Sequence, residues 1–160
     1  MRWPIEKKDQ FVCPNCIILT NDPLNEVIDI LYPPSILRSN QNYTYKMSYE
    51  KFQLMNKDPM IGVEVRCLKL DGEHLFDQTW PDKAVIRING KVAKEVEPLI
   101  QNSSLKKRRD QKLFNRFMSK SGSNSFSIFY KNIRDGKNTK TEFDPLYAFG
   151  ILLVKKNTVE

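Results

Sequence analysis

The sequence predicts an all-β protein, an antiparallel β-sandwich or partly open barrel with one or two short helices. The first observation is that several short segments alternate apolar and polar residues, which is the period of a strand with one buried face. The second is that turn dipeptides, such as Asp71-Gly72 and Asn89-Gly90, separate these segments. With 160 residues, the chain has the length of one domain and can bury a core without disulfides.

Two strands and one helix are predicted in the N-terminal part of the chain. They span residues 26–31 (strand), 43–47 (strand) and 49–57 (helix). We expect the first strand to end at Pro33-Pro34, because proline has no amide hydrogen to donate to a sheet. Ser48 is expected to cap the helix, since its hydroxyl oxygen can accept a hydrogen bond from an amide of the first turn.

The rest of the chain carries the clearest strand signals. The predicted strands span residues 61–70, 74–80, 84–89, 91–96, 125–130 and 147–156. Asn89-Gly90 predicts a type I′ hairpin turn, because both residue types tolerate the positive φ angles that this turn requires. Residues 147–156 are apolar on both faces, which predicts a central strand.

The domain boundaries follow from where this periodicity begins and ends. Residues 1–10 have no period and are expected to be a disordered or linker tail, residues 11–156 the β domain, and residues 157–160 a second tail. No apolar run approaches the ~20 residues of a membrane span, so no membrane contact is expected. The opening residues lack a secretory pattern, and the three cysteines show no disulfide framework, which predicts a reducing intracellular compartment.

Positive charge is concentrated in one polar segment, residues 101–120, called the basic segment below. It holds seven Lys or Arg and one Asp, which gives +6 of the chain's total of +7. Such a block predicts contact with nucleic acid or with an acidic protein surface, and a solvated loop is the alternative. The candidate partner-binding residues are Lys106, Lys107, Arg108, Arg109, Lys112 and Arg116. Four apolar residues are expected to form a helical turn that packs this segment onto the core: Leu113, Phe114, Phe117 and Met118.

The sequence does not carry the motifs of a catalytic centre. It has no G-x-S-x-G elbow and no glycine-rich phosphate loop. Its single histidine, His74, has no sign of a partner that would orient it as a base. We therefore expect no catalytic residue and no cofactor in this chain.

Cys13 and Cys16 form a C-x-x-C motif, which supplies only half of a tetrahedral zinc site. The other ligand types are Cys67, which lies within a predicted strand and is expected to be a small buried side chain, and His74. A zinc site built from all four residues and a redox pair are the alternatives to ordinary cysteines. A redox pair is disfavoured because the βαβ context is missing. No metal is expected.

Short motifs follow one another in a defined order along most of the chain. They are Asp22-Pro23-Leu24, Pro33-Pro34, Ile36-Leu37, Phe76, Trp80-Pro81, Ile88-Asn89-Gly90 and the closing stretch YAFGILLVKK. In this order and spacing they resemble the PINIT domain of PIAS/Siz-type SUMO ligases. The run that gives the family its name is not matched, because at KLFNRFM, residues 112–118, only Asn115 corresponds to it.

The resemblance is closest to the plant-type Siz arrangement. In those proteins a PHD zinc finger ends in C-x-x-C directly before the Asp-Pro motif, and Cys13 and Cys16 hold that position here. The resemblance therefore offers a second interpretation of these cysteines, as the half-site of a truncated finger. Two ordinary buried cysteines remain the alternative.

The resemblance implies a substrate-recognition domain of a SUMO ligase, non-catalytic on its own, that binds protein substrates and helps orient the acceptor lysine. It implies that the rest of the ligase engages the SUMO-charged conjugating enzyme through a zinc-bearing SP-RING that this chain lacks, and that the protein is nuclear. The alternative is a nucleic-acid-binding β module acting through the basic segment, so DNA is a further candidate partner. Residues 137–141 are a second, weaker candidate loop for partner contact.

Overall fold

The structure is a computed structural model that describes residues 14–20, 22, 24–70, 78–81, 83–96, 112–131 and 146–157. The described residues form two four-stranded antiparallel sheets that enclose a common core, with two short helices. The helices are α1 (Pro14–Thr20) and α2 (Tyr49–Lys57). The strands are β1 (Asn25–Ile36), β2 (Gln41–Met47), β3 (Ile61–Lys69), β4 (Lys83–Ile88), β5 (Lys91–Val96), β6 (Leu113–Asn115), β7 (Gly122–Lys131) and β8 (Tyr147–Lys156). The predicted all-β sandwich is confirmed.

The strand order places β8 in the interior of the first sheet. That sheet has the order β1-β8-β3-β6, and the second sheet has the order β2-β7-β4-β5. β8 pairs with β1 on one side and with β3 on the other, and its first eight residues are buried. The prediction of a central strand over residues 147–156 is therefore confirmed.

Aromatic side chains fill much of the space between the sheets. The Phe149 ring of β8 is stacked on the rings of Tyr32 and Phe126, with centroids 5.4 Å apart in both pairs. The Tyr43 ring lies 4.7 Å from Phe149, and Trp80 is fully buried in the same core. These rings contribute strongly to stability, because hydrophobic stabilisation grows with the apolar area that leaves water.

The β4–β5 hairpin turns at Asn89-Gly90, as predicted. The φ angles of the two residues are 52° and 83°, the positive values of a type I′ turn. Asn89 also bonds beyond the turn: its Oδ1 accepts from the Ser125 amide at 2.9 Å, and its Nδ2 donates to the Met118 carbonyl at 2.8 Å. This turn residue therefore ties the hairpin both to β7 and to the segment that follows β6.

Helix α2 has the predicted bounds and the predicted cap. The Ser48 hydroxyl oxygen accepts a hydrogen bond from the Lys51 amide at 3.1 Å. Met55 is the buried residue of this helix and joins the core between the sheets. α2 therefore packs against the sandwich, although most of its surface faces solvent.

Strand β1 does not end at Pro33-Pro34, contrary to the prediction. It continues to Ile36, with a register shift between Tyr32 and Ser35. Prolines are tolerated because β1 is an edge strand and they fall within this irregularity, where no ladder amide is needed. Two side chains satisfy backbone groups of this strand: Asp29 Oδ1 accepts from the Ile30 amide at 2.9 Å, and the Ser35 hydroxyl donates to the Pro33 carbonyl at 2.9 Å.

Helix α1 was not predicted from the apolar run around residues 11–19. It begins at Pro14. Proline suits the first turn of a helix, because the amide hydrogen that it lacks would find no acceptor within the helix at that position. Ile17 and Ile18 of α1 pack on Leu68 and Ala148, on the face of the first sheet that points away from the second sheet. Neither helix of the described residues is long and apolar enough to cross a bilayer.

A buried ion pair lies beneath α1. Arg66 and Glu64 on β3 are both shielded from solvent, and the Arg66 Nε donates to Glu64 Oε2 at 2.7 Å. The Arg66 Nη1 also donates to the Ile18 carbonyl of α1 at 2.7 Å. Asn25 completes the set, since its Nδ2 donates to Glu64 Oε1 at 2.7 Å and its carbonyl accepts from Arg66. These hydrogen bonds fix α1 and the start of β1 onto the sheet.

Several other predictions can be compared with the structure only in part, because some of their residues lie outside the described ones. Residues 74–77 of the predicted strand 74–80 lie outside the described residues, and Gln78 forms an isolated bridge with Leu68. The predicted tail 1–10, the loop 137–141 and residues 158–160 also lie outside them. Asn157, placed in the second tail by prediction, donates its amide to the Leu24 carbonyl at 2.8 Å.

Candidate partner-binding surface

The basic segment enters the described structure only at its end. Lys106, Lys107, Arg108 and Arg109 lie outside the described residues, so their assignment as binding residues stays a prediction. Lys112 and Arg116 are described, and they flank β6 at the edge of the first sheet.

The cluster predicted to be a helical turn is a strand followed by a bend. Leu113 is buried and pairs with Val65 of β3, so β6 extends the first sheet by one short strand. Residues 116–118 then form a bend, and Met118 packs against the core. The prediction of a helical turn is therefore wrong, whereas the prediction that these residues attach the basic segment to the core is correct for Leu113 and Met118.

Lys112 forms an ion pair with Asp22, with 3.1 Å between Nζ and Oδ2. Partial burial alone would raise the pKa of Asp22, but the hydrogen bonds from Lys112 and from the Leu24 amide outweigh burial, and the pKa of Asp22 is lowered. The carboxylate therefore remains charged at neutral pH. The pair connects the end of the basic segment to the segment between α1 and β1.

Arg116 donates to three backbone carbonyls. Its Nε bonds to the Ile61 carbonyl at 2.9 Å, and its Nη2 to the carbonyls of Met55 (2.6 Å) and Asp58 (3.3 Å). These carbonyls lie at the end of α2 and the start of β3. Arg116 therefore holds the bend against the body of the domain, and this structural role was not foreseen when it was predicted to bind a partner.

Asn115 shapes the bend that exposes Phe117. Its Oδ1 accepts from the amides of Phe117 (2.9 Å) and Met118 (2.7 Å). The Phe117 side chain has 86% of its surface exposed, and the Arg116 guanidinium carbon lies 5.4 Å from the centre of its ring. Residues 115–118 are called the Phe117 bend below. The apolar spacing predicts Phe117 packed against the core, whereas the bend turns it to solvent.

A polar network connects the residues after the Phe117 bend to β7, to β2 and to the β4–β5 turn. Asn124 of β7 is buried; its Oδ1 accepts from Asn89 Nδ2 at 2.9 Å and from the Lys120 amide at 2.7 Å. The Ser119 hydroxyl lies 2.6 Å from the Tyr45 hydroxyl, and both side chains are buried. Burial raises the pKa of Tyr45, so this hydroxyl stays neutral. The residues after the bend are therefore fixed to both hairpin and sheet.

Phe114 lies on the opposite side of β6 from the core. A Cβ added at Gly62 would come within 2.6 Å of the Phe114 ring and 2.9 Å of the Arg116 Cγ, so Phe114 and Arg116 lie directly on the backbone of β3. The ammonium of Lys156 lies 4.0 Å from the centre of the Phe114 ring. Phe114 is thus half-buried between β3 and a lysine, with a packing role.

Gly62→Ala is expected to displace β6 and the Phe117 bend. The new methyl group overlaps the Phe114 ring and the Arg116 stem, and overpacking of this kind destabilises by about 1–3 kcal/mol. Urea denaturation followed by tryptophan fluorescence measures the change. In a Phe114→Ala background the same substitution should have a smaller effect, because one of the two overlaps is removed. Equal effects in both backgrounds would contradict this packing.

The cysteines do not come together in the described part of the chain. Cys67 is buried between the sheets, whereas Cys16 is exposed on α1, which covers the other face of the first sheet. No group of three metal-ligating side chains occurs among the described residues. Cys13 and His74 lie outside them, so the half-site hypothesis stays a prediction.

Cys16 and Cys67 are expected to differ sharply in reactivity. Burial raises the pKa of the Cys67 thiol, which removes the thiolate that alkylating reagents attack. Brief iodoacetamide treatment of the native protein, followed by peptide mass mapping, should label Cys16 and leave Cys67 unmodified until denaturant is added. Labelling of Cys67 at the rate of Cys16 would show that the core opens locally.

Solved structures of two SUMO E3 ligases are among those that share the fold of this chain. The crystal structure of the S. cerevisiae SUMO E3 ligase Siz1 matches 86% of the chain with a TM-score of 0.59 and 11% sequence identity. That of the S. cerevisiae SUMO E3 ligase Siz2 matches 88% with a TM-score of 0.60 and 15% identity. The chain spans about half the length of each, 49% and 54% respectively. No family model and no curated protein sequence matches it. The predicted resemblance is confirmed at the level of the fold, which is PINIT-like.

Proposed function

We propose that this chain is the substrate-recognition domain of a SUMO ligase. It binds protein substrates and helps to orient the acceptor lysine, while the rest of the ligase engages the SUMO-charged conjugating enzyme through a zinc-bearing SP-RING. The main support is the fold that the chain shares with Siz1 and Siz2 over most of its length. In this proposal the protein acts in the nucleus and the chain itself carries no cofactor.

The proposed contact surface is the basic segment, which includes the Phe117 bend. The bend is held by hydrogen bonds that involve the side chains of Asn115, Asn89 and Arg116, so it can bind a partner with little loss of conformational entropy. The bend is part of the basic segment, which supplies most of the chain's net charge. Electrostatic attraction of this kind increases the rate of encounter with acidic protein surfaces.

A chimeric ligase tests this proposal. The chain replaces the matching part of yeast Siz1, and the chimera is assayed with purified SUMO, activating enzyme and conjugating enzyme. We expect unchanged discharge of SUMO from the conjugating enzyme but a changed set of modified proteins. Substitution of Lys106, Lys107, Arg108 and Arg109 by Glu should alter substrate choice again without altering discharge. A substrate set identical to that of Siz1 would contradict a recognition role.

The charge of the basic segment also supports the alternative, a nucleic-acid-binding module. Binding of that kind weakens steeply as salt rises, because phosphate contacts release counterions. Fluorescence anisotropy with labelled single-stranded and duplex DNA, and with RNA, at two salt concentrations measures it. Lack of binding at low salt would eliminate this alternative.

A further inference from the structure

Phe117 is the most exposed large apolar side chain among the described residues. Its exposed fraction is 86%, and the next is that of Tyr49 at 66%. A single exposed apolar residue is common on protein surfaces and by itself indicates nothing. The backbone around Phe117, however, is unusually well held for an exposed bend.

Three separate contacts fix the position of Phe117. The Asn115 side chain accepts from the Phe117 amide itself, and the Asn89 side chain donates to the carbonyl of Met118. Arg116, the residue before Phe117, bonds to carbonyls of α2 and β3. An aromatic side chain on such a pre-organised bend resembles the anchors that dominate the energetics of protein interfaces, where Phe, Tyr, Trp and Arg are enriched.

The charge around Phe117 is positive and only partly compensated. Lys112 and Lys155 are paired with Asp22 and Asp58. Arg116, by contrast, has no carboxylate oxygen within ion-pair distance among the described residues, because its hydrogen bonds go to carbonyls. Lys120, a further cation of the basic segment, is exposed after the bend. The complementary partner surface is therefore acidic.

The same contacts favour a protein over a nucleic acid as the partner. Single-stranded nucleic acids bind on successive exposed aromatic rings, but Phe114 is half-buried and covered by Lys156. One open aromatic ring beside positive charge suits an apolar pocket with an acidic rim.

We propose that Phe117 is the anchor of a protein-docking surface and inserts into an apolar pocket of the partner that is rimmed by Asp and Glu side chains. This inference rests on the proposed function and specifies its contact. It assigns the Lys and Arg side chains of the basic segment to attraction of the acidic rim and the Phe117 ring to the specific contact. Residue 117 then determines how long the complex lasts, and the basic segment how fast it forms.

A phage-displayed library of random peptides, selected against the purified chain, tests the proposal. The enriched peptides should share an apolar residue flanked by Asp or Glu. In fluorescence polarisation titrations with a synthetic selected peptide, Phe117→Ala should weaken binding by about 30-fold, the size of an aromatic hot spot. Phe129→Ala is the matched control, because Phe129 is a partly exposed phenylalanine on β7, and it should leave binding unchanged.

Several results would overturn the proposal. No enriched peptide, peptides without acidic residues, or equal binding by Phe117→Ala would remove Phe117 as the anchor. A single-stranded oligonucleotide that binds wild type and loses affinity on Phe117→Ala would assign the bend to nucleic acid. The chimeric ligase separates the two hypotheses: peptide binding through Phe117 with an unchanged substrate set would preserve the docking surface and reject the role in SUMO transfer.

Discussion

Glu64→Ala is expected to lower the free energy of unfolding by about 3–5 kcal/mol, because it leaves the Arg66 guanidinium buried without its counter-charge. The substitution also removes the acceptor for the Asn25 side chain. Since Arg66 bonds to the Ile18 carbonyl, α1 should loosen with it. Urea denaturation monitored by circular dichroism measures the loss, and hydrogen exchange at residues 17–20 reports on α1.

Two controls make this expectation specific. Glu26→Ala removes an exposed carboxylate from β1 and should change stability by less than about 0.5 kcal/mol. The double substitution Glu64→Leu with Arg66→Met removes both charges at once. It should cost far less than the single change, because no uncompensated charge stays buried. If the single and double variants are equally unstable, the ion pair is not the cause.

Phe149→Ala is expected to destabilise the protein by about 3–5 kcal/mol, because it empties the centre of the aromatic cluster. Phe149 lies on the central strand β8 and contacts the rings of Tyr32, Tyr43 and Phe126. Both sheets contribute to this cluster, so a cavity there weakens the contact between them. The midpoint of urea unfolding, with tryptophan fluorescence as the probe, measures the change.

Comparison variants distinguish cavity formation from a general effect of losing a phenylalanine. Phe149→Leu keeps most of the volume and should be clearly milder than Phe149→Ala. Phe117→Ala removes an exposed ring and should change stability by less than about 0.5 kcal/mol. Equal losses at positions 149 and 117 would be incompatible with the packing of this core.

Features set by local sequence were predictable. The Asn89-Gly90 turn depends only on residues that accept positive φ, and the structure has those angles. β8 was predicted to be central because its apolar residues fall on both faces. Such signals need no knowledge of distant contacts, which is why sequence patterns find them.

Features set by distant contacts were missed. β1 passes through Pro33-Pro34 because it lies at the edge of a sheet, a position that no local pattern reveals. Glu64 and Arg66 look like the solvent face of an alternating strand, yet α1 covers them. The apolar run of α1 was the available signal that this face of β3 is buried, because apolar side chains such as Ile17 and Ile18 must pack against another part of the protein.

Only part of the candidate surface was predicted, because the bend, like the features above, depends on distant contacts. Charge marks the basic segment directly in the sequence. Phe114 and Phe117 are spaced as on a helix, and short apolar runs do not distinguish helix from strand. The bend forms instead because β3 offers a free edge, because Gly62 leaves room for Phe114 and Arg116, and because Asn115 bonds to the following amides. The first two causes lie outside residues 113–118, so those residues alone do not reveal them.

The interior position of β8 has a consequence for when the domain can fold during its synthesis. β1 and β3 are separated by the width of one strand, so neither has its main partner until residues 147–156 have left the ribosome. The inner side chains of β3 stay exposed to water during that interval. The first sheet therefore closes only after β8 has emerged, with the slow kinetics typical of long-range strand pairing. A nascent chain arrested before residue 147 should be captured by chaperones, and its release should require that β8 has emerged.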